Sequence, residues 1–148
     1  MNILITEPEN YSKKALEAYA TLGTVSADKT LSREGLLSQI PAADVLVIRL
    51  AHQIDAQVID VASNLKIIAS PTTGLNHIDV AYAESKGIKV VSLKGETEFL
   101  RTVHATAELT MALMLALIRK LPSNFEAVKN GKWDRDASKG TELAGKTL

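Results

Sequence analysis

Apolar residues along this chain fall into two kinds of pattern. Short uninterrupted runs recur at Ile3-Leu4-Ile5, at Val25 beside Thr24, from Val45 to Ile48, at Ile67-Ile68-Ala69 and from Val90 to Leu93, and each reads as a β-strand. Between them the apolar positions space out to helical period. The pieces are Ser12 to Leu22 with Leu16 and Tyr19 on one face, Ser32 to Ile40, Asp55 to Ala62, and Asp79 to Lys86 closed by Gly87. A Ser or Asp stands at the head of each, where a side-chain oxygen can accept from the unpaired amides of the first turn. Runs such as Val45 to Ile48 have no polar alternate, so they must be buried on both faces of a sheet. The predicted fold is therefore α/β, an open, doubly wound parallel sheet of five strands. The flavodoxin-like order 2-1-3-4-5 is expected, with ligands gathered beyond the carboxyl ends of the strands.

A different pattern begins at Glu98. From there to Leu121 the apolar residues Ala105, Ala107, Leu109, Ala112, Leu113, Leu115, Ala116 and Leu117 cover more than one helix face. The expectation is one long C-terminal apolar helix, stopped by Pro122 and covered by a second domain, a partner subunit or both. A shorter helix is expected from Asn124 to Lys129. Asp134 to Gly140 reads as a linker, and Lys146-Thr147-Leu148 as the opening of another strand, so the chain is expected to be truncated.

Composition narrows the function classes. The chain has 148 residues, 46% hydrophobic and 23% charged, with 17 basic side chains against 17 acidic ones and no cysteine. That is one globular domain's worth of chain, large enough for a core without disulfides or thiolate zinc. Zero net charge and interspersed signs leave no electrostatic footprint for nucleic acid. The first residues read as a strand instead of a signal peptide, and the longest uncharged apolar stretch, Leu109 to Ile118, is about half of a ~20-residue bilayer crossing. A cytoplasmic protein without a membrane segment is expected.

Candidate chemistry gathers at the carboxyl edge of the predicted sheet. The turn Ser70-Pro71-Thr72-Thr73-Gly74-Leu75-Asn76-His77 links the fourth strand to a helix. Amides of Thr72, Thr73 and Gly74 there are candidates to hold a carboxylate, with Gly74 allowing close approach and unusual φ; the alternative is a plain tight turn. Arg49 ends the third strand at the same edge, and its planar guanidinium suits carboxylate or phosphate; the alternative is a solvated strand-end arginine. His52, His77 and His104 share no metal-ligand spacing and are expected to be surface or satisfied histidines. Glu108, inside the apolar helix, is expected to pair structurally, and Trp133 to anchor the last segment against the fold. No glycine-rich dinucleotide loop occurs.

Taken together, Thr73-Gly74-Leu75-Asn76-His77-Ile78-Asp79, Thr106-Ala107-Glu108-Leu109-Thr110, Gly131-Lys132-Trp133 and Gly140 to Leu148 resemble the D-isomer-specific 2-hydroxyacid dehydrogenases, phosphoglycerate-dehydrogenase-like members above all. The resemblance runs the length of the chain. It implies a flavodoxin-like substrate-binding (catalytic) domain over residues 1–98. Residues 99–148 would be an interdomain helix and the start of an NAD domain whose Gly-x-Gly-x-x-Gly loop would follow Leu148. The implied reaction is hydride transfer between NAD(H) and C2 of a small 2-hydroxy or 2-keto acid. The family's catalytic arginine, glutamate and histidine lie later in the polypeptide, so no catalytic residue is assigned here and the chain alone is expected to be inactive and not to bind NAD. Thr72-Thr73-Gly74 matches the family's carboxylate loop, with Thr72 in place of its first glycine. Arg49 matches a substrate-facing arginine, Ser70 stands where phosphoglycerate-type members often carry arginine, and Thr106 matches the start of a cofactor-facing helix.

Two readings from other classes share parts of this pattern. A phosphoacceptor receiver domain shares the fold but needs an acidic cluster after the first strand and an aspartate ending the third; Glu7 and Arg49 occupy those places. A non-catalytic carboxylate-binding or dimerisation module, self-associating through the 98–121 helix, is the remaining alternative.

Overall fold

The computed structural model describes residues 1–27 and 30–147. Five parallel strands, β1 (Asn2–Ile5), β2 (Thr24–Ser26), β3 (Val45–Val47), β4 (Ile67–Ser70) and β5 (Lys89–Ser92), form one sheet in the order β2-β1-β3-β4-β5. Both the strand set and its order match the expectation from the apolar runs. The chain divides into two compact units, Met1–Thr97 and Glu98–Leu148.

In the first unit the pleat sends alternate residues to opposite faces. Leu4, Leu46, Ile48 and Ile68 point to one side, where they pack with Leu36, Val58, Ile59 and Ala83 from α2 (Arg33–Gln39), α3 (Ala56–Val61) and α4 (Val80–Ser85). Ile3, Ile5, Val45 and Val47 point to the other, against Leu16 and Tyr19 of α1 (Lys13–Leu22). Register aligns Leu4 with Leu46 and Leu46 with Ile68, so one apolar row crosses the sheet centre. The four predicted caps are in place: Ser12, Ser32, Asp55 and Asp79 each accept from an amide three residues on. Gly87 closes α4 at φ 79°, a conformation that glycine adopts without strain.

Asp55 does more than cap. Both its carboxylate oxygens lie 2.8 Å from Nη2 of Arg33, which also reaches the side chain of Gln57. This fork ties the start of α2 to the start of α3. Asp55→Ala should therefore cost about 1 kcal/mol for the lost cap plus whatever the exposed ion pair adds, which chemical denaturation at neutral pH would measure.

The second unit corrects the long helix. In place of one helix over 98–121 there are α5 (Thr97–Leu100), α6 (Ala105–Ile118) and α7 (Leu121–Lys129). The hydroxyl and the amide of Thr102 both donate to Phe99 O, at 2.7 and 2.9 Å, and Val103 N donates to Leu100 O at 3.1 Å. These three-residue bonds tighten the chain and end the helix. Pro122 opens α7 in its first turn, where its missing N–H costs nothing, after Lys120 turns the chain at φ 52°. The apolar character of α6 is real: no residue of it is buried within its unit. Trp133 is 88% exposed and anchors nothing among the described residues. Glu108 pairs with no described residue; it sits exposed in the first turn of α6, where the helix dipole favours an acid. Lys146-Thr147 is not strand, and Leu148 lies outside the described residues.

Candidate functional site

Two loops meet at the carboxyl edge of the sheet, one after β3 and one after β4. They are stitched together by backbone: Ile54 N donates to His77 O at 2.7 Å, and Asp79 N donates to Ile54 O at 2.9 Å. Arg49, Thr72, Thr73 and Gly74 all lie on these loops, so four of the five residues singled out from sequence share one edge. Thr106 belongs to the other unit, exposed in the first turn of α6.

The loop after β4 is built from inside. Ser70, only 4% exposed, has its hydroxyl 2.8 Å from that of Thr72 and 3.4 Å from His77 Nε2. Thr72 in turn donates to Gly74 O at 2.8 Å, and Leu93 N, just past β5, donates to Thr72 O. The side chains of Ser70, Thr72 and His77 and the carbonyls of Thr72 and Gly74 are thus engaged. The amides of Thr72, Thr73 and Gly74 are different: among the described residues they donate to no protein acceptor. Thr73 and Gly74 are exposed. Unused N–H groups on an exposed turn leave this loop a candidate to hold an anion. Against the expectation of an unusual φ, Gly74 lies outside the left-handed region, and a Cβ there would meet nothing within 4 Å, so the fold itself does not require glycine at this position.

The loop after β3 is wired the opposite way. Its amides are consumed by Glu7, a residue that sequence reading placed at the end of β1 but gave no task. Glu7 is 5% exposed. Its carboxylate accepts from Arg49 N at 2.7 Å, Leu50 N at 3.2 Å, Ala51 N at 3.1 Å and the Thr6 hydroxyl at 3.3 Å. Four donors compensate a buried charge that would otherwise be very costly. Arg49 is half-buried, and its guanidinium makes no hydrogen bond or ion pair among the described residues. Its charge acts on the hydroxyl of Tyr11, which burial, Tyr19 and Glu7 push well above the usual tyrosine range. The one signal for Glu7 in the sequence is an acid placed one residue past the apolar run Ile3-Leu4-Ile5 and before Pro8.

Two histidines are buried; His77 fits the expectation of a satisfied histidine, whereas His52 is neither at the surface nor satisfied among the described residues. His77 is 5% exposed and His52 is 8% exposed; His77 reaches Ser70, while His52 Nε2 meets no partner among the described residues. Burial holds His77 below its ordinary value of 6.5, with Glu7 opposing, so the ring is neutral at pH 7. An unfolded chain takes up this proton more readily than the folded one. Stability from His77 is therefore complete above about pH 6.5 and is lost as pH falls from there through the lower folded value. Asp44, Asp55 and Asp60, each held below 3.8 first by a side-chain hydrogen bond from Lys66, Arg33 and Lys86 respectively, should add a second decline as pH falls through about 4. Denaturation midpoints across pH 3 to 8 should show both steps, and His77→Gln should flatten only the upper one.

Among the described residues no group of three or more His, Asp or Glu is placed to hold a metal, and no helix is long and apolar enough to cross a membrane. The glycines with positive φ, Gly87, Gly95, Gly131 and Gly145, stand singly on separate turns. None forms the closely spaced strand-to-helix glycine turn that a dinucleotide pyrophosphate requires.

Comparison with known proteins identifies this architecture. The family model described as "D-isomer specific 2-hydroxyacid dehydrogenase, catalytic domain" matches residues 3–138. The D-3-phosphoglycerate dehydrogenase of Methanocaldococcus jannaschii is 39% identical over the whole of this chain and 27% of its own length. The hydroxypyruvate reductase of Thermotoga maritima is 44% identical over 80% of this chain and 37% of its own. The crystal structure of D-lactate dehydrogenase from Aquifex aeolicus with NAD and lactic acid shares the fold, with a TM-score of 0.75 at 20% identity, over 97% of this chain and 41% of that one. The chain thus spans well under half the length of the relatives it matches. A parallel sheet in flavodoxin-like order, a carboxyl edge with unused loop amides and the match over residues 3–138 lead to one conclusion: the chain belongs to the D-isomer-specific 2-hydroxyacid dehydrogenase family.

Proposed function

We propose that this chain supplies the substrate-binding wall of a cytoplasmic, NAD-dependent oxidoreductase acting on the CH–OH group of D-2-hydroxy acids. The observation that carries the proposal is the contrast between the two loops. Amides 49–51 are closed by Glu7, whereas those of Thr72, Thr73 and Gly74 are unused and lie on the same sheet edge as the unpaired Arg49. A small 2-keto or 2-hydroxy acid offers one carboxylate, and charge-assisted bonds from these amides and the guanidinium would fix its position. With its carboxylate held, C2 can be presented in one orientation to a reaction partner.

The described residues offer no dinucleotide cradle, so NAD(H) would be held by polypeptide outside this chain. When bound there, it would supply the hydride acceptor or donor for C2. Thr106, at the head of α6, is the residue here proposed to face that cofactor. Residues 1–98 would act as the substrate domain and 99–148 as the connection toward the cofactor domain.

Two tests follow. Purified chain with NADH and pyruvate, glyoxylate or hydroxypyruvate should give no loss of nicotinamide absorbance, whereas a chimera joining it to the remaining portion of the Thermotoga relative should give turnover. Robust turnover by the chain alone would overturn the division of labour. The apolar residues of α6 include Leu109, Leu113 and Leu117 at 59%, 61% and 77% exposure, spaced four apart along one helix face, and contiguous exposed apolar surface of this kind favours association. Self-association through this helix is the expected result in light scattering, and Leu113→Glu should weaken it. A strictly monomeric native chain at high concentration would contradict this.

A further inference from the structure

The buried carboxylate at the end of β1 has a second consequence for the anion site. Three consecutive amides, those of Arg49, Leu50 and Ala51, converge on Glu7 at 2.7, 3.2 and 3.1 Å. Successive backbone N–H groups pointing at one place form an anion-binding concavity, and here the protein fills it with an anion of its own. The shortest of the three bonds is made by the amide of Arg49. The backbone from which its guanidinium projects is thereby clamped, while Thr6, the residue before Glu7, continues the ladder by donating to Val47 O at 3.1 Å. The neighbouring loop is held to the same frame through Ile54 and His77.

We propose that Glu7 is a positioning residue for substrate: it occupies the anion nest after β3, so that the substrate carboxylate is directed to the amides of Thr72 to Gly74, and it fixes the base of Arg49. This rests on the reading of that edge as a carboxylate site.

Charge and position make opposite demands here, which gives the test its discrimination. Removing a buried negative charge near an anion site strengthens anion binding if only the field matters. Loosening Arg49 weakens it. In Glu7→Gln, whichever way the amide turns, an NH2 group faces at least one of the three N–H donors. The experiment is a pyruvate titration followed by amide chemical shifts, on the native chain and on Glu7→Gln. In the native chain, shifts should be confined to residues 72–74, their neighbours and Arg49, with the amides of 50 and 51 unmoved and protected from hydrogen exchange. In Glu7→Gln the dissociation constant should rise about tenfold, with shifts appearing at 50 and 51.

Glu7→Asp, which keeps the charge but reaches fewer donors, should fall between. Unchanged or tighter binding by a folded Glu7→Gln would overturn the positioning role while leaving the carboxylate site intact. If neither Glu7 variant folds, the native titration alone decides, because movement of amides 50 and 51 on binding would show that the nest is open to ligand. No shift anywhere in the native chain would instead remove the carboxylate site itself.

Discussion

Arg49→Met should raise the dissociation constant for pyruvate by about one to two orders of magnitude, since hydrogen bonds to charged groups contribute about 1.5–3 kcal/mol. Methionine keeps most of the stem, so the loss is that of the guanidinium. The same substitution should leave the urea midpoint almost unmoved, because the guanidinium has no hydrogen-bond or ion-pair partner among the described residues. Arg49→Lys should recover only part of the affinity, as a point charge lacks the planar fork that matches a carboxylate. Titration and denaturation of the same samples would separate a binding role from a structural one. A destabilised Arg49→Met with native affinity would assign the residue to the fold.

Leu46→Ala should have the opposite signature. Leu46 is fully buried on the middle strand, in register between Leu4 and Ile68. Its truncation leaves a cavity walled by the sheet centre and the helices on that face, where collapse is least able to follow. A cost of about 2–5 kcal/mol is expected, a large part of the roughly 5–15 kcal/mol that holds a domain together. Urea denaturation should show the lower midpoint with an unchanged slope. A loss below about 1 kcal/mol would mean that the apolar row is not the core.

The two predictions draw on parts of the molecule that were unequally legible in the sequence. Core strands and the caps Ser12, Ser32, Asp55 and Asp79 were readable because each depends on residues a few positions apart: an apolar run, a helical period, an oxygen three residues before an amide; the strand order followed from the alternation of five strands with helices. Arg49 and the turn at Thr72 to Gly74 were readable as candidates for the same reason, since strand ends locate them. Glu7 was not. Its three amide partners lie 42 to 44 residues away, and no local pattern announces a carboxylate that will serve as an internal anion. The hydroxyl and imidazole chain from Thr72 through Ser70 to His77 escaped notice because serine and histidine in a turn look solvated until the sheet buries them.

The helix at 98–121 failed in a different way. Apolar spacing carried across Thr102 and Val103 without a visible stop, and only the bonds back to Phe99 and Leu100 reveal that the backbone had a competing use for those carbonyls. Pro122 was read as an end when its position in the first turn of α7 makes it a beginning. Proline marks a helix boundary; which side of the boundary depends on where the next four amides go.

The proposed division of labour has the amides of 49–51 filled from within by Glu7 and those of 72–74 left for a ligand. An amide-resolved titration of the unsubstituted chain with pyruvate, read against acetamide as a neutral control, tests this most directly. Saturable shifts at Thr72, Thr73 and Gly74 with pyruvate, absent with acetamide, are the predicted result. Shifts centred on residues 49–51, or equal responses to the neutral amide, would contradict it.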